Sequence, residues 1–149
     1  MATVAQSVPV PRTRSAVSTP VVFFGRLLFV LIFVMSGFTH FAKQTIGFAA
    51  SQSVPIASVL VPLSGVIALL GGLSILLGYR AKLGAWLIVL FLVGVTPLHK
   101  FWGLGDPMMQ QIQMAMFMKN LAMLGGALLI TQFGSGPFSL DAANDESRP

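Results

Sequence analysis

Cysteine is absent from the 149 residues, and only 9% of them are charged. The first absence removes disulfides, thiolate nucleophiles, iron–sulfur ligation and cysteine-based zinc sites. The second removes a water-exposed surface, because soluble domains carry about 25% charged residues. Acids are scarcest, with 4 Asp and Glu against 9 Lys and Arg. Asp106 is the sole acid between Met1 and Leu140, so there is no carboxylate pair for acid–base chemistry. No Ser–His–Asp set, P-loop or His-Glu-x-x-His pattern occurs either, which argues against a stand-alone enzyme. The basic residues are scattered among apolar segments and form no stripe, which argues against nucleic acid as a partner.

What is abundant is apolar. Hydrophobic residues make up 55% of the chain and the mean hydropathy is +0.85. Four runs approach the roughly 20 residues a bilayer requires of a helix: about Val21 to Phe41, Ile56 to Gly78, Leu83 to Leu98, and Met108 to Phe133. Asp106-Pro107 supplies the last with an N-cap and a proline at the first helical position. A spanning segment must satisfy its backbone internally, so the expectation is all-α: an antiparallel four-helix transmembrane bundle. Pro62 and Pro97 are candidate kinks in the second and third segments.

The ends read differently. Residues 1–20 are rich in Ser, Thr, Val and Pro and predict a disordered tail; 21–141 form the membrane domain, and 142–149 a second disordered tail. A cleaved signal peptide does not suit the first run, which contains Arg26 and lacks a following small-x-small site. Arg12, Arg14, Arg80, Lys82 and Arg148 lie on one side of the predicted topology, against Lys43 and Lys100 on the other. Both termini are therefore expected in the cytoplasm, with the loops 42–55 and 99–112 facing outward.

Close helix contacts in lipid depend on small residues. The second segment offers Ala57, Ser64, Gly65, Ala68, Gly71, Gly72 and Gly78; the fourth offers Ala115, Ala122, Gly125, Gly126 and Ala127. Polar groups inside spans are costly and mark function or a route to water. Arg26 lies near an end and is expected to snorkel, as a structural or interfacial group. The others converge on the outward end: His40 closes the first segment, His99 and Lys100 the third, and Gln113, Lys119 and Asn120 begin the fourth. Gln113, Phe117 and Asn120 share a helix face, while Phe101 and Trp102 suit the interface.

That cluster suits three chemistries. Two imidazoles at matched depth are the ligand set of an axially held haem, although interfacial hydrogen bonding also explains them. The methionines Met108, Met109, Met114, Met116, Met118 and Met123 are potential thioether ligands for Cu(I), but only Met114 and Met118 share a face and methionine is ordinary apolar filler. Imidazole, ammonium and carboxamide beside apolar walls fit a quinone best: its carbonyls accept hydrogen bonds while its tail stays in lipid.

Several segments together resemble the DoxX family of small four-helix bacterial inner-membrane proteins. They are Arg26-Leu27-Leu28 with Ser36-Gly37, Leu69 to Gly78, His99-Lys100-Phe101-Trp102, Phe117 to Ala122 with Gly125-Gly126, and Gly134 to Asp141. Ala68 stands where many members carry glutamate, so a proton relay through that carboxylate has no counterpart here. The resemblance implies association with membrane redox systems. The expected function is accessory binding of a quinone-like amphiphile by His40, His99, Lys100, Gln113, Lys119 and Asn120, with no metal. The alternative is an assembly subunit docking a larger membrane complex; a carrier is disfavoured because no broken helix or inverted repeat is visible.

Overall fold

The computed structural model describes residues 19–146, so most of the expected 1–20 tail lies outside the described residues. Four helices are long and apolar enough to cross a membrane. They are α1 (Thr19–Thr39), α3 (Ala57–Leu77), α4 (Ala81–Val95, extended by a 3-10 turn over Thr96–Leu98) and α5 (Pro107–Phe133). Two short helices complete the set, α2 (Lys43–Ser51) and α6 (Leu140–Glu146), and no strand occurs among the described residues.

Each boundary has a local cause. Gly78 ends α3 in the left-handed region (φ 64°), and its amide and that of Tyr79 bond back to the Ile75 and Ser74 carbonyls. Pro97 ends regular α4: it lacks an N–H, and the chain tightens into the 3-10 turn while Thr96 Oγ1 donates to the Leu92 carbonyl. Asp106 caps α5, its carboxylate accepting from Met108 N at 2.9 Å. Pro62 sits within the first two turns of α3 without interrupting it.

The bundle is held by close backbone approach. A Cβ on Gly65 would lie 2.8 Å from the Gly37 carbonyl oxygen and 2.8 Å from His40 Cβ, so α1 crosses α3 almost main chain to main chain. A Cβ on Gly71 would meet the Gly84 oxygen at 2.8 Å, which brings α4 equally near on the other side. Around these contacts Val30, Phe33, Ala68, Ile75, Ala85, Ile88, Leu92 and Ala127 form the buried core. The fourth span uses its small residues only in part: Gly126 and Ala127 pack, whereas Ala115, Ala122 and Gly125 are exposed. The order of packing is α1–α3–α4–α5, with no comparable contact between α1 and α5.

Three sequence expectations need correction. The 42–55 loop contains α2, whose Ala49 packs with Ala57 and Val61 beside Ile46 and Val54; nine residues cannot span a bilayer, but they can lie across its end. The expected 142–149 tail is helical through residue 146, and 147–149 lie outside the described residues. Arg26 does not snorkel. The Gly134–Leu140 segment folds back over it, Nη2 donates to the Phe138 carbonyl, and the residue is 5% exposed with Nε and Nη1 unpartnered. What closes this end is Asp141: its amide donates to the Gly78 carbonyl (2.8 Å), and its carboxylate accepts from Arg80 N (2.8 Å) and Ala81 N (3.0 Å) at the start of α4.

Gly84→Val is expected to lower the melting temperature in detergent, because its Cβ would also meet Ser74 Oγ at 2.5 Å; the overpacking cost is about 1–3 kcal/mol. Gly94→Val, with nothing within 4 Å of the added carbon, is the control and melts as wild type does.

Candidate ligand-binding site

One end of the bundle carries the end of α1, α2, the end of α4 and the start of α5. There the helices enclose a cavity of about 230 Å³. His40, His99, Lys119 and Asn120 all line it, so residues from three spans and 80 positions of sequence meet in one recess. Phe33, Phe91, Val95 and Met123 supply apolar walls, and Thr45, Phe48 and Ala49 of α2 cover it. The other two candidates lie outside this lining. Gln113 braces His99, and Lys100 is exposed, its Nζ 5.8 Å from the centre of the Trp102 ring.

The imidazoles are fixed by their Nδ1 atoms. His40 Nδ1 donates to the Ser36 carbonyl at 2.7 Å, and its ring meets Phe91 edge-on at 5.4 Å. His99 Nδ1 donates to Gln113 Oε1 at 2.9 Å. In each neutral ring Nε2 is then the remaining nitrogen, a hydrogen-bond acceptor. The expected face of α5 is real: Gln113 holds His99, Phe117 takes Phe101 (5.6 Å) and Trp102 (6.4 Å) edge-on, and Asn120 turns inward. Phe101 and Trp102 thereby brace the α4–α5 connection against α5.

Asn120 decides the character of the recess. It is 5% exposed, yet no group among the described residues hydrogen-bonds its carboxamide. Neither is the amide sealed in protein, since among the described residues only Arg26 contributes fully enclosed, unpartnered polar side-chain atoms; it opens into the cavity that Asn120 lines. A buried carboxamide left unmet costs about 1–3 kcal/mol, and an occupant of the cavity removes that cost. Lys119 stands at the rim: it is exposed, and its Nζ reaches only the weak acceptor Met116 Sδ at 3.1 Å.

The cavity borders the seam between α1 and α5. Phe29 of α1 fills the space over Gly126 of α5, where an added Cβ would lie 2.9 Å from its ring. One turn nearer the cavity the same helices present Ile32 and Ser36 against Met123 and Lys119, all of them lining residues. Backbone packing between α1 and α5 is sparse beside that of the other neighbouring spans, so this seam offers the least resistance to an apolar tail.

The DoxX family profile matches residues 21–103, more than half of the chain. The chain belongs to the DoxX family. Together with four apolar spans, that makes it a multi-pass membrane protein. No match emerges among curated proteins or among solved structures. The matched stretch of this DoxX protein contains His40 and His99 but stops before Lys119 and Asn120, so those two polar lining residues come from outside it. Ala68 is fully buried in the apolar core, and that position is dry in this chain. Among the described residues, no three of His, Asp or Glu lie close enough to hold a metal ion.

Sequence reasoning missed α2 as the cover. Its signal was present in Ile46 and Ala49, one helical turn apart after the polar Lys43-Gln44-Thr45. Asn120→Leu is expected to leave the melting temperature unchanged or raised, because no protein hydrogen bond is lost. Gln113→Ala lowers stability by about 1 kcal/mol through the bond withdrawn from His99. Thermal melts of the two purified variants check both.

Proposed function

We propose that this DoxX protein binds the head group of a quinone-like amphiphile in the His40/His99/Lys119/Asn120 cavity, as an accessory to a membrane redox system. The observation that carries the reading is the buried, unpartnered carboxamide of Asn120 opening into a recess with two braced imidazoles. The donor set fits both forms of such a head. Asn120 and Lys119 donate to a carbonyl oxygen, and an imidazole Nε2 accepts from a hydroxyl. The volume of about 230 Å³ lies below the 300–1,000 Å³ typical of pockets that enclose a whole ligand. It suits a single ring whose tail leaves through the α1–α5 seam. A bound quinone would supply two-electron redox chemistry; the residues here hold, orient and hydrogen-bond it. The distribution of Lys and Arg supports cytoplasmic termini, in a bacterial inner membrane.

A second reading has its own observation. Only Asn120, Ala127 and Thr131 of the 27 residues of α5 are buried, and that helix packs chiefly on α4. So bare a face in a bundle of four suits an assembly subunit that docks a larger complex. Titration of the purified protein with a short-tailed quinone analogue separates the two. The first reading predicts saturable binding, weakened about tenfold or more by Asn120→Leu and by Lys119→Leu, as loss of a buried hydrogen bond or ionic contact implies. Equal affinity in wild type and both variants overturns it.

A further inference from the structure

The opposite end of the bundle holds a second, larger recess of about 840 Å³, between the α3–α4 turn and the segment that follows α5. Its walls carry Arg80 and Lys82, and neither is ion-paired among the described residues. The Arg80 guanidinium rests 5.9 Å from the centre of the Tyr79 ring, and the stem of Lys82 runs alongside Gly134. Asp141 also lines the recess, but both its oxygens are turned to the amides of Arg80 and Ala81, so its charge is engaged at the start of α4. A third cation lies just behind. Arg26 Nη1 and Ser139 crowd the same point, where a side chain on Gly78 would begin. Ser139 is a lining residue, and Nη1 has no partner.

The independent sign of a ligand is Ser135. It is 5% exposed, lines this recess, and no group among the described residues hydrogen-bonds its hydroxyl. A buried hydroxyl lining the same recess as two unpaired cations, with a third cation buried behind, is the donor set of a phosphate. The rim adds a second chemistry. Phe133 is 80% exposed, and Leu83 and Tyr79 are also exposed, so whatever enters meets apolar side chains at the membrane boundary.

We propose that this recess binds a phosphate ester, and that the apolar rim selects it as the headgroup of an anionic phospholipid. Arg80 and Lys82 neutralise its charge, Ser135 donates to a phosphate oxygen, and the acyl chains lie against Leu83 and Phe133. Such basic recesses between spanning helices are where anionic headgroups lodge. The site is separate from the cavity at the other end and stands whether or not that cavity takes a quinone.

The test uses the full chain in phosphatidylcholine nanodiscs, with phosphatidylglycerol added in steps and bound lipid counted by native mass spectrometry. Wild type is expected to retain phosphatidylglycerol saturably. Arg80→Gln/Lys82→Gln weakens retention about tenfold or more and Ser135→Ala by a smaller factor, since hydrogen bonds to charged groups are the strong ones. Lys43→Gln/Lys100→Gln removes the same charge from the other end and retains lipid as wild type does. Equal retention in both double variants overturns the site. Inorganic phosphate that displaces the lipid at comparable concentration keeps the phosphate site but overturns the lipid as its source.

Discussion

Everything in this structure depends on the near contact of backbones at two glycine pairs. In lipid there is no hydrophobic drive between helices, and association rests on van der Waals contact and on polar bonds across the interface. Gly37 and Gly65 bring α1 onto α3, and Gly71 and Gly84 bring α4 onto α3. These contacts make α3 the helix gripped from both sides. A consequence is that α1 and α5 become the outer members, joined through Phe29 over Gly126 and not by their backbones. The lipid-facing seam is therefore produced by the same packing that holds the bundle together. The Gly65 crossing also sets the position of His40, whose Cβ lies beside it.

The two ends of the bundle are built on different chemistry. One is a small, mostly apolar recess in which polar groups are braced by neighbours while a carboxamide is left open. The other is wider and basic, closed by Asp141 across the α3–α4 turn. Between them the core is dry, with Ala68 fully buried in the cluster that holds Phe33 and Ile88. Among the described residues the core cluster between the two recesses is wholly apolar.

Much of this was legible in the residues. The four spans, the Asp106-Pro107 start and the shared face of Gln113, Phe117 and Asn120 follow from hydropathy, capping and the 3.6-residue period, all of which are local. The gathering of His40, His99, Lys119 and Asn120 followed from antiparallel topology, because equal depth in a thin slab leaves few arrangements. Arg26 was misread because its surroundings are non-local: a segment more than 100 positions later folds over it and offers a carbonyl in place of water. The closing role of Asp141 was not legible for the same reason, its two amide partners lying in a distant turn. Lys100 shares the depth of the cluster yet leans on Trp102, since depth alone does not fix direction around a helix end.

The central claim is that the open carboxamide of Asn120 belongs to a site for an amphiphile. Gentle extraction of the protein from native membrane, with mass spectrometry of both retained lipids and retained proteins, tests it most directly. The account predicts a redox-active amphiphile held by the wild-type chain and lost from Asn120→Leu. A chain that comes out without one, bound instead to a stoichiometric protein partner in wild type and variant alike, would contradict it.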